Sequence, residues 1–457
     1  MVAELGSNSF TLTEAHRFAN NTVSDAGLRW DFEAIWNQIL AGLAKAAQTG
    51  PLDAIGIDSW AVDYGLVNAS GELIDQPFCY RDARTVGVPE QVWERIGRRR
   101  LYEITGVQHQ RFNTVFQLWD DLRAGRLSQA ASILLIPDLI AFRLTGKMVS
   151  EVTNASTTGL FDGRSREWSV EIIDRLGFPR QMLPDVVEAG AVLGPLHPRL
   201  RTATGIGEDC QVVAVGTHDT ASAVAAVPAE DPAFGYVSCG TWSLVGAELT
   251  HPICSAASLE KNFTNEAGVF GTVRYLKNVM GLWLLTECQR SWHAENDLAA
   301  LLAEAAMLPP TATLIDADDD EFLPPGAMPE RIAAAIVRSG GEPPESRSAT
   351  VRCIIDSLAA SYARALRQAA ELTGRDAGTV HVVGGGSLNR SLCQATADQT
   401  GLPVMAGPVE ASAIGNALVQ AAAIGAIPRE LGALRTLVRS SFTTTEYLPA
   451  NSQPKGS

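Results

Sequence analysis

Residues 211–223 read QVVAVGTHDTASA, in which an apolar run gives way at Gly216 to polar side chains. The run predicts a buried strand and the small residues after it predict a helix, which together indicate an α/β layer. Ligands of open α/β sheets bind where such strands end, and Asp219 there is suited to take a proton from a substrate hydroxyl. The alternative is that Asp219 or Thr220 caps a helix that begins at Ala221.

Two glycine-rich turns follow apolar runs in the second half of the chain. In residues 236–246, two β-rich runs meet at Gly240-Thr241, a hairpin that forms either an anion-binding nest of backbone N–H groups or an ordinary turn. In residues 382–389, three consecutive glycines let a ligand or another backbone approach closely, or they form a tight turn without a ligand. The second turn is not a dinucleotide-binding fingerprint, because Asn389 stands at its last glycine position.

Two other stretches carry small or aromatic side chains. Residues 410–417 open a helix with small residues, which fits close helix packing or the floor of a nucleotide site. Residues 57–63 combine two aspartates with Trp60, and an aromatic face beside carboxylates suits sugar recognition. Asp82 either joins that set or is a structural partner of the neighbouring arginines.

The charge balance excludes several classes of partner. The 457 residues carry 36 Lys and Arg against 51 Asp and Glu, a formal net charge of −15. Nucleic acids and anionic membrane surfaces bind through clustered basic residues, so we expect neither as a partner. An anionic nucleotide remains compatible, because backbone N–H groups bind phosphate without net positive charge.

The start of the chain and the cysteines predict a cytoplasmic protein. The first six residues lack the basic and apolar regions of a signal peptide, and no stretch reaches the roughly 20 apolar residues of a membrane span. The seven cysteines are scattered without a C-x-x-C pair, which predicts reduced thiols rather than disulfides or a zinc site. The acidic run at 316–321 lacks the spacing of a calcium loop and is interpreted as a solvated loop.

Strand and helix signals alternate along the chain. Apolar residues at 35–43, preceded by Asp31 as a cap, and at 351–366 recur with helical spacing. Short β-rich runs lie at 55–58, 66–67, 211–215, 235–238, 243–247, 379–383 and 403–406. A polar, Pro-containing stretch at 227–232 is the best boundary, and it predicts domains 1–227 and 228–457.

Taken together and in order, these motifs resemble the FGGY family of carbohydrate kinases over nearly the whole chain. The runs that carry the resemblance are 57–63, 80–82, 112–114, 136–138, 144–147, 153–155, 218–222, 240–244, 276–283, 384–386 and 407–412. The resemblance implies two actin-like (ribonuclease H-like) α/β ATPase domains with an interdomain cleft that holds ATP and a sugar. It also implies ATP as co-substrate and Mg²⁺ on the nucleotide phosphates.

The resemblance implies a role for individual residues. Asp219 corresponds to the general base on the 1-hydroxyl of the sugar and lies near Mg²⁺. The residues expected to contact the sugar are Ala61, His218, Thr220, Asn278, Trp60 and Asp82. Those expected at the nucleotide are Gly240, Thr241, Thr286, Gly384, Gly385, Gly386 and Asn389. Thr286 is shorter than the polar side chain that members of the family can carry at this position.

The start of the chain departs from the family pattern. The family opens with a phosphate-binding hairpin of the type Asp-x-Gly-x-x-Ser/Thr, whose Asp helps to hold Mg²⁺. Residues 4–9 are similar to it, but residues 10–18 match the strand after the hairpin and residues 1–3 match its second strand. We therefore expect residues 4–9 to be only the next turn, with one strand and a turn missing through truncation or a misplaced start codon.

The expected reaction is ATP-dependent phosphorylation of L-rhamnulose to L-rhamnulose 1-phosphate by a monomer or homodimer. Residues 218–220 and 277–283 favour this sugar within the family. A kinase for L-fuculose, L-ribulose or D-xylulose is the alternative, because one methyl or hydroxyl changes discrimination by only about 1–3 kcal/mol. A sugar- or nucleotide-binding remnant without turnover is a rival of another class, against which the retained Asp219 argues. An actin-like filament protein would leave the sugar motifs unexplained.

Overall fold

The computed structural model describes residues 1–6, 9–24, 26–293 and 298–450. The chain forms two compact units. The first unit comprises Met1–Pro228, Leu249–Tyr275 and Ser412–Ser441, and the second comprises Ala229–Glu248, Leu276–Ala411 and the residues from Phe442 onward. The assignment of domains 1–227 and 228–457 stays a prediction.

Helices and strands alternate along the described residues, as the sequence predicts. The helices are Phe32–Ala47, Val88–Ile96, Arg98–Thr105, Thr114–Arg123, Ile136–Thr145, Val152–Ala155, Val170–Leu176, Pro198–Thr204, Asp219–Ala225, Ala256–Glu260, Trp283–Trp292, Leu298–Ala306, Met328–Arg338, Arg347–Thr373, Arg390–Thr400, Ala411–Ala423 and Leu431–Ser441. The strands are Val2–Leu5, Phe10–Thr13, Thr22–Ser24, Leu28–Trp30, Ala54–Gly56, Tyr64–Val67, Ser132–Leu135, Ser150–Glu151, Phe161–Asp162, Glu167–Trp168, Val186–Val187, Ala191–Pro195, Gln211–Ala214, Phe234–Cys239, Trp242–Leu249, Thr264–Ala267, Val273–Met280, Thr379–Val383, Val404–Ala406 and Thr445–Tyr447. Within the described ranges, no helix combines the length and the apolar composition needed to cross a membrane.

Three strands of the first unit form the sheet that carries the candidate base. Ala54–Gly56 runs parallel to Gln211–Ala214, which pairs antiparallel with Ala191–Pro195. Their apolar side chains are buried in one cluster with helix Ile136–Thr145, which explains why these strands are apolar without strict alternation. The two parallel strands end at the same edge of the sheet, so the residues that follow them leave side by side.

The second unit has a sheet with Phe234–Cys239 at its centre. This strand forms an antiparallel hairpin with Trp242–Leu249 and pairs in parallel with Thr379–Val383. Val404–Ala406 extends the sheet in parallel, and Thr445–Tyr447 follows it antiparallel. Both glycine-rich turns therefore begin where neighbouring parallel strands end.

Most of the predicted secondary structure is present. Asp31 caps helix Phe32–Ala47, and its carboxylate accepts the Ala34 N–H as the capping pattern predicts. The predicted strand at 379–383 is found with the same bounds, and the other predicted strands differ by one or two residues at one or both ends. Helix Arg347–Thr373 extends beyond the predicted 351–366 at both ends.

The N-terminal residues form two strands around a turn, as the sequence predicts, but the first strand continues through Leu5 and the second ends at Thr13 instead of residue 18. Val2–Leu5 pairs antiparallel with Phe10–Thr13, and the Gly6 N–H donates to Ser9 O. Two residues of the predicted turn at 4–9, residues 7 and 8, lie outside the described part of the chain.

The small residues at 410–417 let two helices of the first unit touch. Gly415 lies in helix Ala411–Ala423, and a Cβ atom there would collide with the backbone carbonyl of Ser222 in helix Asp219–Ala225. Because backbone atoms cannot move aside as a flexible side chain can, this contact requires glycine. Close helix packing therefore accounts for this run without a ligand.

We expect Gly415→Ala to lower the free energy of unfolding by roughly 1–3 kcal/mol, because overpacking forces the two helices apart. Gly432→Ala is the matched control, since Gly432 lies in helix Leu431–Ser441 and a Cβ there meets nothing within 4 Å. The control should be neutral or more stable by up to about 1 kcal/mol. Urea unfolding followed by circular dichroism measures both, and equal stability of the two variants would contradict the packing argument.

Candidate active site

Backbone hydrogen bonds hold the candidate base beside the neighbouring strand end. The Ser59 N–H donates to Thr217 O over 3.0 Å, and the Asp219 N–H donates to Ser59 O over 2.9 Å. Parallel pairing thus continues past the last strand residues, and it fixes the backbone of Asp219 before any side chain contributes.

The helix after this loop begins at Asp219 and not at Ala221. Helix Asp219–Ala225 has His218 as its N-cap, and no side-chain capping bond is made there. The alternative in which Asp219 or Thr220 caps a helix that begins at Ala221 is wrong. The physical reason is that the His218 carbonyl already accepts the Ala221 and Ser222 N–H groups, so the helical hydrogen bonds begin at His218.

The buried carboxylate of Glu151 accepts hydrogen bonds from the loop that contains Thr217 and His218. Its Oε2 accepts the N–H and hydroxyl of Thr153, at 3.0 and 2.5 Å, and the N–H and hydroxyl of Thr217, at 3.0 and 2.8 Å. Thr153 Oγ1 in turn accepts the His218 N–H at 3.3 Å. Burial raises the pKa of Glu151, although these bonds favour its ionised form.

Two charged residues hold the His218 ring, and all three side chains are buried. Arg274 Nη2 lies 3.2 Å from His218 Nδ1, and Arg274 Nη1 lies 3.0 Å from Glu266 Oε2. Glu266 Oε2 lies 3.1 Å from His218 Nδ1. Burial is the largest single influence on the pKa of Glu266 and raises it, but Arg274 and His218 together outweigh it, so the pKa lies below its usual range.

The Asp219 carboxylate is half-buried and makes few hydrogen bonds. Its Oδ1 accepts the Thr220 hydroxyl at 3.2 Å and lies 3.7 Å from His218 Nε2, which is longer than a hydrogen bond. Predicted residues 218, 219 and 220 are therefore brought together, with a carboxylate oxygen able to accept a substrate hydroxyl.

A second carboxylate, Asp58, leaves the neighbouring strand end. Asn416 Nδ2 donates to Asp58 Oδ2 at 2.6 Å and is itself positioned by Gln420, whose Nε2 donates to Asn416 Oδ1. Burial raises the pKa of Asp58 to about 7, the Asn416 bond lowers it, and the charge of Asp219 raises it further. Asp58 therefore binds a proton more tightly than an ordinary aspartate does.

The carboxylate of Asp63 is fully buried and organises an aromatic pair. Its Oδ2 accepts Trp30 Nε1 at 2.7 Å, Trp60 Nε1 at 3.0 Å and the Tyr80 N–H at 3.1 Å, and Gln117 donates to Oδ1. The two indole rings lie 4.5 Å apart, centroid to centroid. Burial raises the pKa of Asp63 to about 6 despite these four donors. Asp63 therefore orients Trp60 and does not itself face a ligand.

Ala61 sits before a strained turn. The Asp63 N–H donates to Ala61 O at 2.9 Å, a γ-turn whose central residue, Val62, has φ of +69°. A β-branched residue disfavours this conformation, which costs on the order of 1–3 kcal/mol. Thr114 and Gln117 hold it by donating to Val62 O. Strain of this kind is concentrated at functional sites, which fits the predicted place of Ala61 at the sugar.

Asp82 has a structural role. Its two carboxylate oxygens accept the Leu28 and Arg84 N–H groups, at 2.6 and 2.8 Å, and it caps the short helix Ala83–Thr85. Asp82 is therefore a structural partner, although it binds backbone N–H groups and not the side chains of the neighbouring arginines. A sugar contact by Asp82 stays a prediction.

The Gly240-Thr241 turn of the second unit is exposed and built on a crowded base. The Gly240 N–H donates to Trp242 O, and the Gly281 N–H donates to Thr241 O. A Cβ atom at Gly281 would lie 2.6 Å from Gly240 O, so glycine is required below the turn. The turn is a hairpin, as predicted, and its role at a phosphate stays a prediction.

The three glycines at 384–386 differ in what surrounds them. Gly384 has φ of +82° and Gly386 packs on Cys239, so both are required by the backbone or the core. Gly385 is exposed, and a Cβ atom there would meet nothing within 4 Å. Asn389 caps helix Arg390–Thr400 by accepting the Leu392 N–H. Only Gly385 of the described turn therefore has no structural reason to be glycine.

Two further predicted residues lie on other elements of the second unit. Asn278 is half-buried in the last part of strand Val273–Met280, and the Met280 N–H beside it donates to Asp318. Thr286 is exposed on helix Trp283–Trp292, and its hydroxyl donates to Leu282 O. The acidic run at 316–321 thus contributes Asp318 to the support of this strand end.

The residues that support the site were not predicted from the sequence. Three residues contact the 217–218 loop although each is at least 48 positions away in the sequence: Glu151, Glu266 and Arg274. None of them lies in a motif that predicts this contact. Glu151 does precede the run 153–155 that carried part of the resemblance. The one signal in the sequence for such a supporting residue was the charged Arg274 within the otherwise uncharged stretch Val273-Arg274-Tyr275-Leu276.

The donor set suits a hard divalent cation only in part. Among the described residues, no group of three or more His, Cys, Asp or Glu side chains could hold a metal ion. Mg²⁺ is commonly bound by one or two carboxylates together with substrate phosphates and waters. The single half-exposed Asp219 carboxylate fits that mode and does not fit an all-protein cage.

Comparison with known families identifies relatives over most of the chain. Residues 12–226 match the N-terminal domain and residues 235–424 the C-terminal domain of the FGGY family of carbohydrate kinases. A rhamnulokinase of Bacteroides thetaiotaomicron is 41% identical over 443 residues, which cover 96% of this chain and 90% of that protein. A rhamnulokinase of Pectobacterium carotovorum is 43% identical over 444 residues, which cover 96% and 88%.

Solved structures share the fold at low sequence identity. A gluconate kinase of Lactobacillus acidophilus superposes with a TM-score of 0.76 at 16% identity, covering 95% of this chain and 88% of that one. A glycerol kinase of Plasmodium falciparum with ADP gives a TM-score of 0.76 at 12% identity, covering 95% and 89%. These likenesses confirm the predicted two-domain, mixed α/β kinase fold.

We expect the free energy of unfolding to fall as pH rises from about 4 to about 7, and to fall less in Asp63→Asn. The folded pKa of Asp63, about 6, lies above its ordinary 3.8, so the native state binds the proton more tightly than the unfolded chain. The stabilising proton is lost as pH rises through about 6, which removes up to roughly 3 kcal/mol.

Urea titrations at several pH values measure this slope. Asp75→Asn is the control, since Asp75 is exposed. A slope in Asp63→Asn equal to that of wild type would show that Asp63 is ionised throughout this range.

Proposed function

Because the chain belongs to the FGGY family of carbohydrate kinases, we propose that it transfers the γ-phosphoryl group of ATP to L-rhamnulose, giving L-rhamnulose 1-phosphate. The relatives that support this sugar are named rhamnulokinases and match 96% of the chain at 41–43% identity. The observation that carries the chemistry is the Asp219 carboxylate, held at a strand end with one oxygen engaged only by Thr220.

In the proposed reaction, Asp219 accepts the proton of the sugar 1-hydroxyl. The oxygen then bonds to the γ-phosphorus as the bond to the β-phosphate oxygen breaks, and ADP leaves with that electron pair. Phosphoryl transfer depends mainly on alignment and charge neutralisation. Backbone hydrogen bonds with Ser59 and the hydrogen bonds of Glu151 with Thr217 fix the backbone next to Asp219. They thereby help to align the carboxylate with the sugar hydroxyl.

The proposed sugar contacts have complementary chemistry. His218, Thr220 and Asn278 are polar, whereas Trp60 presents its ring, since its N–H is taken by Asp63. L-Rhamnulose carries a methyl group at C6, and an indole face suits such apolar surface. Ala61, beside the strained turn, gives room for the substrate. Asp82 is proposed as a further contact, through the acceptor capacity that remains after its two oxygens accept backbone N–H groups.

The proposed nucleotide contacts are residues of the second unit that lie in turns or at a helix start, except Thr286, which lies on helix Trp283–Trp292. They are Gly240, Thr241, Thr286, Gly384, Gly385, Gly386 and Asn389. Backbone and hydroxyl donors at such turns bind phosphate in a chain whose net charge is −15. Bound Mg²⁺ would neutralise phosphate charge, with Asp219 as the protein carboxylate nearest to it in the proposal.

Other functions are less favoured. A kinase for L-fuculose, L-ribulose or D-xylulose is less favoured because the curated relatives at 41–43% identity are rhamnulokinases. A remnant without turnover would not need the carboxylate of Asp219. The protein is proposed to act in the cytoplasm on a small sugar and ATP, as a monomer or homodimer, without nucleic acid or membrane as partner.

ADP release with L-rhamnulose and Mg²⁺ tests the function, and Asp219→Asn tests the base. We expect wild type to turn over L-rhamnulose faster than L-fuculose, L-ribulose or D-xylulose. Asp219→Asn should lower kcat by about 10²–10⁴-fold with little change in sugar binding, because general-base catalysis contributes that much.

Asp209→Asn is the control, because Asp209 is an exposed aspartate of the same unit. Faster turnover of another ketose would replace the sugar, and ATP binding without turnover of any sugar would favour the remnant. A rate near wild type in Asp219→Asn would remove Asp219 as base.

Gly385→Val tests the nucleotide turn without disturbing the fold. A side chain at Gly385 has open space and no unfavourable φ, so we expect unchanged stability. It would occupy the space proposed for the nucleotide, so KM for ATP should rise about tenfold or more while KM for the sugar stays constant.

Gly378→Val is the matched control, an equally open glycine of the same unit. Equal KM values for ATP in the two variants would place the nucleotide away from Gly385.

A further inference from the structure

Arg274 has no exposed surface, which is unusual for an arginine. Its guanidinium is enclosed by oxygen and nitrogen atoms of the first unit: Ala267 O lies 3.2 Å from Nε, Thr153 O lies 3.4 Å from Nη2, and Glu266 Oε2 lies 3.0 Å from Nη1. The remaining partner is His218 Nδ1, 3.2 Å from Nη2. A desolvated charge of this kind needs every one of these partners.

The contact with His218 determines where the proton of the imidazole lies. A guanidinium has only donors, so a hydrogen bond from Arg274 Nη2 requires His218 Nδ1 to be an acceptor. A neutral imidazole with an acceptor at Nδ1 carries its proton at Nε2. Glu266 Oε2 is 3.1 Å from the same Nδ1, but it is not aligned to accept a hydrogen bond from it.

Glu266 provides charge and not a hydrogen bond: its Oε2 lies 3.0 Å from Arg274 Nη1 and 3.1 Å from His218 Nδ1, and neither contact has the alignment of a hydrogen bond. Its carboxylate compensates the buried charge of Arg274, and burial of one without the other would be strongly unfavourable. Thr153 connects this pair to the loop, because its carbonyl accepts from Arg274 and its hydroxyl accepts the His218 N–H. The ring and the backbone of His218 are thus fixed by the same neighbours.

We propose that Arg274 is a positioning residue that holds His218 in the tautomer with the proton on Nε2, so that His218 is a donor and Asp219 the only proton acceptor of the pair. Nε2 faces the Asp219 side, 3.7 Å from Oδ1. A donor and an acceptor at this spacing match a sugar oxygen and an adjacent hydroxyl. That last step rests on the proposed function, whereas the tautomer does not.

The tautomer is measured directly on the wild-type protein. Nitrogen-15 NMR of histidine-labelled protein at pH 8 distinguishes a protonated from an unprotonated ring nitrogen, and His218→Gln identifies the signal. We expect an unprotonated Nδ1 and a protonated Nε2 without any ligand. A protonated Nδ1, alone or together with Nε2, would overturn the proposal, and because no sugar or ATP is present this result is independent of the proposed reaction.

A double variant, Arg274→Met with Glu266→Gln, removes both buried charges together and so leaves neither unpaired. We expect the His218 signal to shift toward the other tautomer and kcat/KM for the sugar to fall about 100-fold, the cost of a small misplacement, with KM for ATP unchanged. Loss of activity with the wild-type tautomer retained would overturn the positioning role.

Arg435→Met is the control, because Arg435 is another buried arginine of the first unit. It should lose stability while leaving the His218 signal unchanged. A change of tautomer in this control would show that the signal responds to general loosening and would overturn the specific role of Arg274. If the double variant does not fold, the wild-type spectrum decides alone.

Discussion

The carboxylate of Glu151 joins the parts of the first unit on which the candidate site depends. One of its oxygens accepts four hydrogen bonds, two from Thr153 and two from Thr217. Thr217 precedes the candidate base in the strand-end loop, and Thr153 contacts both the backbone of His218 and the guanidinium of Arg274. Without this acceptor, four buried donors would lose their partner at once, at about 1–3 kcal/mol each.

A second buried carboxyl accompanies Glu151. Asp138 is equally buried, and its Oδ1 accepts the Glu151 N–H at 3.3 Å. Burial raises the pKa of Asp138 well above its usual range, and the charge of Glu151 raises it further. Ionisation of Asp138 beside an ionised Glu151 is therefore unfavourable. Glu151, which has the four donors, is the member that can bear the negative charge.

The sequence predicted the parts of this site whose chemistry is local. Asp219 followed from a strand that ends in polar residues, and the two glycine turns followed from their strands, because strand period and glycine are legible over a few residues. The resemblance to a family supplied roles, which no spacing could provide. The support of the site was not predictable, since Thr217 and Glu151 are 66 positions apart and His218 and Arg274 are 56 apart. Asp63 was misjudged for the same reason: its pairing with Trp30 depends on tertiary contacts, which turned a suspected ligand group into a buried anchor.

The two units position their candidate site residues by different physical means. The first unit must hold a carboxylate in a defined place, and it does so with further carboxylates that accept hydrogen bonds from several segments. Burial raises the pKa of two of them, Asp58 and Asp63. The second unit, with no basic cluster recognised in its sequence, relies on absent side chains: at Gly281 and Gly384 a Cβ atom would meet backbone carbonyls of residues 240 and 239 at 2.6 and 2.9 Å. Glycine thus lets strand ends approach closely enough for backbone groups to form a turn. A chain of net charge −15 can present N–H groups to an anion in this way, because the interaction is short-ranged and does not depend on the field of the whole protein.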